Sequence, residues 1–389
     1  MRVSESSSED HAAKHSRRRF LGGVVGGAAG LAAVNLPTPL GAAKEVAQVQ
    51  TPPSYRSLVC VFLKGGADSA NMLSGLGELG TEGKLAVVQN VGPLAQPLTA
   101  ADYQSSSHTP QLLFEHRAQQ KLWLTGRQTL NINVGWGAAL LGDRSAELGP
   151  SAFSFAGSTP WLQSDDSGYC RITSAFSAER VFGGDPDLAS VSIRETQAIA
   201  GRVNVRMGGM ETSSLGGRLA VVAHLIAARE MFDTPRQAFY VELDGWDTHR
   251  DQAQRFPLLL QELNDGLVAF QRTLEDLGVA DTTTTFTASE FGRTASSIGS
   301  GTDHGWAGNT LVIGGSVNPG RYGQDSPVDV SVDGSGVFMP TTSVSQLGAT
   351  LGRWMGLGER ELDVAFPELR NFAQKDLGLF ASGGSDDSP

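Results

Sequence analysis

The sequence contains little cysteine and fewer basic than acidic residues. Its 389 residues include only two cysteines, Cys60 and Cys170, which excludes a disulfide framework and a thiolate-rich metal site. A single bridge between the two is possible, although Cys60 lies in an apolar segment that favours a buried thiol. Lysine and arginine number 30 against 41 aspartates and glutamates, so the net charge is −11 at pH 7. This charge argues against nucleic acids and anionic lipid surfaces as partners.

Long apolar segments are also absent. A membrane-spanning helix needs roughly 20 apolar residues, and the weakly apolar stretch near the N-terminus is broken by several glycines between residues 22 and 30. That stretch follows the twin-arginine pattern SRRRFL at residues 16–21 and precedes the small residues Gly41, Ala42 and Ala43. We therefore predict that residues 1–43 are a twin-arginine signal peptide and that the protein is periplasmic or secreted, with no membrane span.

The remaining sequence has the organisation of an α/β domain. We expect a linker over residues 44–56, a single domain over residues 57–381 and a disordered tail over residues 382–389. Helical periodicity runs from Phe256 to Leu277 and ends at Gly278, and a second apolar helix is expected over Arg218–Phe232. Because strands and helices alternate, we predict an α/β fold with a mainly parallel sheet and helices on both faces. Five apolar segments are predicted as buried strands: Leu58–Leu63, Leu85–Asn90, Ala238–Leu243, Thr282–Ala288 and Thr310–Ile313.

Polar clusters follow several of these predicted strands. Ligands of open α/β sheets bind at the carboxyl ends of the strands, so side chains placed there are candidates for function. The clusters are Asp68; Asp244, Asp247 and His249; Ser289 and Glu290; and, one short loop further on, Asp303 and His304. We expect all four clusters to converge at one edge of the sheet.

Carboxylates and imidazoles without thiolates are suitable ligands for Zn²⁺, Mn²⁺, Mg²⁺ or Ca²⁺. The short spacing would allow Asp244 and His249 to bind one ion, with Asp247 as a further ligand or as the partner of an imidazole. A structural interpretation stays open, since an aspartate after a strand often caps the next helix. His224 lies within an apolar helix, and we interpret it as a structural residue.

Four motifs resemble those of the exported bacterial family known as domain of unknown function 1501. They are GGADSAN at residues 65–71, GWDTHRDQ at residues 245–252, SEFGRT at residues 289–294 and GTDHG at residues 301–305. That family is similar to the alkaline phosphatase and sulfatase superfamily, whose members bind two divalent metals at the carboxyl edge of a parallel sheet and cleave phosphate or sulfate esters. The resemblance therefore implies an alkaline-phosphatase-like fold.

The same resemblance implies two metal sites. Asp68 would stand in the place of the superfamily's first-strand aspartate ligand. Zinc is the expected ion, with manganese, magnesium or calcium as alternatives. One ion would be bound by Asp244, His249 and His304, and the other by Glu290 with Ser289 or Asp303 nearby.

The sequence departs from the family at the position of the expected nucleophile. The family usually carries a Ser-His pair in this region, whereas here Glu115 stands where the serine is expected, directly before His116. Ser107 lies upstream beside His108 and could replace the missing serine, or it could belong to a hydroxyl-rich surface loop. Hydrolysis by a metal-activated water would need no serine.

Two functions of different classes are consistent with these residues. The first is an exported metal-dependent hydrolase of phosphoric or sulfuric esters, acting on a small-molecule or polymeric substrate, with His116, Ser107 and Arg293 as candidate catalytic residues. Arg293 would bind a substrate oxyanion, or it would form a structural salt bridge. The second is a catalytically silent relative that retains the metal site and acts as a binding or structural protein of the cell envelope. A structural protein without metal is the least favoured, because it would leave the clustered carboxylates uncompensated.

Overall fold

A mainly parallel β-sheet forms the centre of the molecule. The computed structural model describes residues 55–72, 79–80, 82–106, 108–142, 151–156, 159–164, 169–174, 177–181, 214–231, 234–324, 328–331 and 334–381. The predicted signal peptide, the predicted tail and Ser107 lie outside these residues. The strands are β1 (Arg56–Lys64), β2 (Leu85–Gly92), β3 (Ala152–Ser154), β4 (Tyr169–Ser174), β5 (Ser177–Val181), β6 (Arg236–Asp244), β7 (Thr283–Ala288), β8 (Arg293–Ile298), β9 (Gly301–His304), β10 (Gly308–Ile313), β11 (Gly320–Tyr322), β12 (Val328–Asp329), β13 (Phe338–Met339) and β14 (Thr342–Ser343).

The strand order of the main sheet is β11-β2-β10-β7-β1-β6-β3-β4-β5, with β14 paired to β2. Strand β1 pairs in parallel with both β6 and β7, and β3 pairs in parallel with β6 and β4. Strand β10 is antiparallel to β2 and β7, and β5 is antiparallel to β4. The predicted mainly parallel sheet is confirmed, and all five predicted strands are present with slightly different ends.

Helices precede and follow the strands of this sheet. The long helix predicted up to Leu277 is present, and Gly278 follows it with a left-handed φ of 66°. The predicted helix over Arg218–Phe232 begins earlier, because the Ser214 hydroxyl accepts a hydrogen bond from the amide of Gly217. The described helices are α1 (Ser69–Met72), α2 (Ala100–Gln104), α3 (His116–Thr125), α4 (Trp136–Ala139), α5 (Leu215–Ala227), α6 (Gln252–Asp276), α7 (Val344–Trp354) and α8 (Glu359–Ala365), with short 3₁₀ turns at Pro160–Leu162, Arg229–Met231, Ala280–Thr282 and Pro367–Asn371.

Both faces of the sheet are covered, as predicted. Side chains alternate along a strand, and in β1 this alternation divides the core into two clusters. Leu58, Cys60 and Phe62 pack in the cluster that includes α3 and α7, and the neighbouring Val59 and Val61 pack in the cluster that includes α5 and α6. Burying each such side chain stabilises the fold by roughly 1.5–3 kcal/mol, so the strands that carry the candidate site are rigidly held.

Two further expectations concern Cys60 and membrane association. Cys60 is a buried free thiol, so it is not bridged to Cys170, and burial raises its pKa. Within the part of the chain that the structure describes, no helix combines the length and the apolar character of a membrane-spanning segment.

Strands β7, β1 and β6 are adjacent and parallel, so their carboxyl ends meet at one edge of the sheet. They end at Ala288, Lys64 and Asp244. The antiparallel hairpin of β8 and β9 follows β7 and forms a separate two-stranded sheet. The predicted polar clusters therefore follow neighbouring strands, except that Asp303 and His304 belong to the hairpin.

Candidate functional site

Two glycines after β1 allow three loops to meet at this edge. Gly65 and Gly66 have φ values of 123° and 82°, which other residues rarely adopt. A Cβ on Gly65 would overlap the backbone amide of Asp247, and a Cβ on Gly66 would overlap the ring of Phe291. The loops after β1, β6 and β7 can therefore pack together only because these positions lack side chains.

Glu290 is a buried carboxylate at the centre of this packing, with an exposed fraction of 0%. Its Oε1 accepts hydrogen bonds from the amide of Gly65 at 3.0 Å and from Nε2 of Gln120 at 3.0 Å. The same oxygen lies 2.8 Å from Nδ1 of His116. Because Oε1 is fully engaged in this way, Glu290 positions an imidazole at the end of a strand.

His116 is the first residue of α3, and the residue before it fixes the start of that helix. The Glu115 carboxylate accepts hydrogen bonds from the amides of Arg117 at 3.2 Å and Ala118 at 2.7 Å. Glu115 is therefore the N-cap of α3, and its carboxylate accepts the hydrogen bonds of amides at the start of the helix, at the position where a nucleophilic serine was expected. The hydrogen bond to Glu290 is the largest effect that raises the pKa of His116 above its usual value.

Five side chains form what we call the imidazole cluster: His116, Asp247, His249, Asp303 and His304. Two groups of potential metal ligands occur among the described residues, namely His116, Asp247 and His304, and His249, Asp303 and His304, each with ligand atoms within 4.8 Å of one another. His304 belongs to both groups, and its Nε2 lies 2.9 Å from Nε2 of His249. Oδ1 of Asp247 lies 3.0 Å from Nε2 of His249 and 3.4 Å from Nε2 of His304.

These three atoms fit the demands of a tetrahedral metal ion. Ligand bonds of roughly 2.0–2.1 Å to zinc in a tetrahedral arrangement place neighbouring ligand atoms about 3.3 Å apart, close to the three separations found here. Two imidazole nitrogens and one carboxylate oxygen leave a fourth position open, as in catalytic zinc sites. The cluster is also reachable from solvent, since the side chains of Asp247 and His249 are 45% and 42% exposed.

Neighbouring groups orient each of the three candidate ligands. Nδ1 of His304 lies 2.8 Å from the carbonyl oxygen of Phe114, which favours a proton on Nδ1 and leaves Nε2 with a free lone pair. Nδ1 of His249 lies 3.5 Å from Oδ1 of Asp303. His304 can offer Nε2 to only one ion, so the two groups of potential ligands cannot each hold an ion through this residue.

Arg293 holds the third ligand from the protein interior. Its Nη1 donates to Oδ1 of Asp247 at 2.9 Å, its Nε donates to Oγ1 of Thr302 at 3.1 Å, and its Nη2 donates to the Thr302 carbonyl oxygen. Partial burial raises the pKa of Asp247, but the Arg293 hydrogen bond and nearby positive charges outweigh it and lower this pKa below its usual value. Of the two roles expected for Arg293, this geometry supports the structural salt bridge.

The pKa of His304 is lowered, mainly because burial disfavours the charged imidazolium. The ring packs against His116, His249 and the buried Phe291, with the Phe291 centroid 4.4 Å away. The Phe114 carbonyl opposes the shift without cancelling it. A neutral imidazole with a free Nε2 is the form that binds metal.

Asp68 lies beside the imidazole cluster and not within it. Its Oδ2 accepts hydrogen bonds from Nδ2 of Asn71 at 2.8 Å and from Nε2 of Gln252 at 2.7 Å. Oε1 of Gln252 in turn accepts from Oγ1 of Thr302 at 2.6 Å. The structure thus places Oδ2 of Asp68 against two carboxamides, and its role as a metal ligand stays a prediction.

Asp244 and Ser289 also lie outside the imidazole cluster. Asp244 is the last residue of β6, its side chain is 71% exposed, and it pairs with Lys64 at 3.6 Å. The hydroxyl of Ser289 donates to the carbonyl oxygen of Leu63 at 2.7 Å and accepts from the amide of Ala67 at 2.9 Å. The structure thus brings Asp247, and not Asp244, to His249 and His304, and it gives Ser289 a structural role.

Three residues of this region were not predicted as part of the site. Gln252 is the last residue of the GWDTHRDQ motif and Phe291 is part of the SEFGRT motif, so both lie within recognisable sequence signals. Gln120 lies four residues after His116, on the same side of α3. Its role could not be read from the sequence, because its partner Glu290 is 170 positions away.

Residues 192–370 match the model of the family described as protein of unknown function DUF1501. The predicted family is confirmed. The match includes the GWDTHRDQ, SEFGRT and GTDHG motifs, but it does not reach Asp68 or His116. No curated protein matches the sequence.

Solved structures similar to this chain have low sequence identity to it. One is the lipoteichoic acid synthase LtaP from Listeria monocytogenes, with 12% identity and a TM-score of 0.40 over 79% of this chain and 73% of that one. Another is a protein of the alkaline phosphatase superfamily from Vibrio parahaemolyticus, with 10% identity and a TM-score of 0.39 over 78% and 67% of the two chains. A third is the PsFucS1 sulfatase from Pseudoalteromonas sp., with 10% identity and a TM-score of 0.36 over 79% and 68%.

Proposed function

We propose that this protein is a metal-dependent hydrolase of phosphoric or sulfuric esters. The observation that carries the proposal is the convergence of Asp247 Oδ1, His249 Nε2 and His304 Nε2 within 3.4 Å of one another. Two imidazoles with one carboxylate favour zinc over magnesium or calcium, which prefer oxygen ligands. A bound divalent ion would polarise the ester and lower the pKa of a water molecule beside it.

His116 is placed to move the proton in this reaction. Its Nδ1 is held by the buried Glu290, and its Nε2 lies 3.6 Å from Oδ2 of Asp247, so that its free edge points to the ion-binding residues. A buried carboxylate that orients an imidazole is a recurrent arrangement in hydrolases. His116 would pass a proton to the leaving oxygen as water attacks phosphorus or sulfur and the ester bond breaks.

Water is the expected nucleophile. The Glu115 carboxylate accepts hydrogen bonds from the amides at the start of α3. The position where a serine was expected therefore carries a carboxylate that is already hydrogen-bonded. Ser107 lies outside the described residues and remains a candidate only from its place in the sequence. A water molecule needs no side chain at this position, which is why the proposal does not depend on either residue.

A second function is favoured by the same carboxylate. Glu115 would repel an anionic ester from the start of α3, which supports a silent relative that keeps the metal site for binding or rigidity. Metal analysis of the purified protein, followed by turnover of p-nitrophenyl phosphate and p-nitrophenyl sulfate with and without chelator, separates the two functions. Bound metal with turnover that chelator abolishes supports the hydrolase, metal without turnover supports the silent relative, and absence of metal rejects both.

A matched pair of variants tests the role of His116 within the hydrolase. We expect His116→Ala to retain the metal and to lose at least about 100-fold in turnover, the range of general acid–base catalysis. His224→Ala changes a histidine that belongs to neither group of potential ligands found among the described residues and whose Nδ1 lies 2.9 Å from the carbonyl oxygen of Ala220, and it should keep both metal and turnover. Full turnover by His116→Ala would reject the proposed proton transfer.

Export through the twin-arginine pathway is a further part of the proposal, supported by the SRRRFL pattern at residues 16–21. Replacing Arg17 and Arg18 with lysine should retain the protein in the cytoplasm, because the pathway reads the arginine pair. Fractionation of cells that express each form measures this. Equal amounts of both forms in the periplasm would show that the predicted signal is not used.

A further inference from the structure

A cavity of about 450 Å³ lies beside the imidazole cluster. Arg293 and Thr302 line it. Arg293 also donates a hydrogen bond to Asp247 of the cluster, and Thr302 accepts one from Arg293. The volume of the cavity is within the roughly 300–1,000 Å³ range of small-molecule sites. Among the described residues that line it, the only charged side chains are Asp68 and Arg293. Five carboxamide side chains also line the cavity, which we therefore call the amide cavity. They belong to Asn71, Gln89, Asn90, Gln252 and Asn309.

Hydrogen bonds hold several of these carboxamides in place. Nδ2 of Asn90 donates to the carbonyl oxygen of Gln324 at 2.7 Å, and Oδ1 of Asn309 accepts from the amide of Asn90 at 3.1 Å. Asn90 has a left-handed φ of 51°, a conformation that asparagine tolerates better than most residues. The wall is therefore preorganised, so a ligand would lose little affinity to the ordering of side chains.

Gln89 supplies an atom that has no partner in the folded chain. The residue lines the cavity with an exposed fraction of only 7%. Its Oε1 is buried and accepts no hydrogen bond from any residue that the structure describes. Buried polar atoms are nearly always satisfied, so this carbonyl oxygen is a candidate acceptor for a donor group of a ligand in the cavity.

The chemistry of the wall selects among classes of ligand. An anion would need more than one cationic group, and Arg293 already pairs with Asp247. An apolar ligand would leave the carboxamides unsatisfied. A saccharide offers neutral hydroxyl donors and acceptors in many directions, and its apolar ring face can pack on the half-buried Phe338 that also lines the cavity.

We propose that the amide cavity binds a saccharide unit, the alcohol portion of the ester whose acid portion lies at the imidazole cluster. The juxtaposition of the cavity with Arg293 and the cluster carries this inference, and the assignment to an ester substrate rests on the proposed hydrolase function. Saccharide binding itself needs neither metal nor turnover, so the two proposals can fail separately.

Binding of unesterified sugars to the intact protein tests the inference. Glucose, galactose, N-acetylglucosamine and maltose would be titrated by calorimetry and by saturation-transfer NMR, with adenosine and the dipeptide Ala-Ala as other neutral probes. We expect at least one sugar to bind, also after chelator treatment, and Gln89→Leu and Phe338→Ala each to weaken it about tenfold, the loss expected for one good contact. Gln128→Leu is the matched control, since Oε1 of Gln128 is likewise buried without a partner among the described residues but does not line this cavity.

Each outcome decides the inference. It is overturned if no sugar in the panel binds, if the sugar binds the Gln89 and Phe338 variants as well as the wild type, or if only adenosine or the dipeptide binds. Thermal melting verifies that the variants fold. If Gln89→Leu or Phe338→Ala does not fold, Phe338→Leu, which removes the aromatic ring, is tested in its place. Sugar binding without turnover of aryl esters would reject the hydrolase and keep the cavity assignment to saccharides.

Discussion

The imidazole cluster and the amide cavity are neighbours with opposite chemistry. The cluster holds partly exposed titratable side chains in close contact, such as the two Nε2 atoms of His249 and His304 that lie 2.9 Å apart. In the cavity, neutral carboxamides form hydrogen bonds to the Asp68 carboxylate and to backbone groups. This difference underlies the two proposals, a cation at the first region and a neutral hydrogen-bonding molecule in the second.

Arg293 and Gln252 lie between the imidazole cluster and the amide cavity and make hydrogen bonds that connect them. Arg293 is fully buried as a side chain and neutralises Asp247 at the border, while Gln252 connects Asp68 with Thr302. An arginine without a carboxylate partner would be costly at this depth. Arg293 therefore compensates the charge of Asp247 where the imidazole cluster meets the amide cavity.

The largest effect is expected for loss of a metal ligand. We expect His249→Ala and His304→Ala each to weaken metal binding by more than about 100-fold, because even changes around a ligand cost 10–100-fold. Metal content after dialysis against a calibrated chelator measures this. His224→Ala is the control, since Nδ1 of His224 lies 2.9 Å from the carbonyl oxygen of Ala220 in its own helix. Unchanged metal content in both cluster variants would show that the cluster is not a metal site.

The next largest effects on stability are expected for two carboxylates: Glu290, which supports the imidazole cluster, and Asp68, which lines the amide cavity. Glu290→Ala should lower the free energy of unfolding by about 2–4 kcal/mol, because it leaves three donors without their buried acceptor. Asp68→Ala should cost about 1–2 kcal/mol, since two carboxamides lose an acceptor beside an open cavity. Urea unfolding measures both. Glu290→Gln preserves an acceptor and should be closer to wild type; an equal loss in Asp68→Ala and Glu290→Ala would remove the distinction drawn here.

A smaller effect is expected at the start of α3. Glu115→Ala should lower the free energy of unfolding by about 1 kcal/mol, because the amides of Arg117 and Ala118 lose their cap. Glu115→Ser restores a capping oxygen and should remain within about 0.5 kcal/mol of wild type. Thermal melting of the two variants measures the difference. Identical melting of Glu115→Ala and wild type would mean that the cap contributes nothing.

The smallest effect is expected for Asp244. Its exposed pair with Lys64 should contribute little, so Asp244→Asn should change the free energy of unfolding by less than about 0.5 kcal/mol. Metal content should also stay at the wild-type level, whereas Asp247→Asn should lower it. Metal analysis of the two variants side by side tests which aspartate of the loop serves the cluster. Loss of metal in Asp244→Asn would restore the assignment made from the sequence.

The sequence was a good guide to the elements and to the types of residue in the site. Burial of alternating or periodic apolar side chains is a local property, and the strands of β1 and β6 and the helix α6 followed from it. The sequence was less informative about individual contacts. Asp244 and Asp247 are equally plausible ligands by spacing, but Gly245 has a φ of 105°, and the turn it makes brings Asp247 to Arg293 and leaves Asp244 facing Lys64.

By itself, then, the sequence determined that acidic and imidazole side chains lie at the carboxyl edge of a mainly parallel sheet, because apolar strands must be buried and the polar loops between them must meet at their ends. Only the tertiary structure decided which of those side chains share a site. His116 and Glu290 are 174 positions apart yet separated by 2.8 Å, while Asp68 faces carboxamides. Hydrogen-bond geometry acts over distances of about 3 Å, and no spacing along the chain specifies distances that short between remote loops.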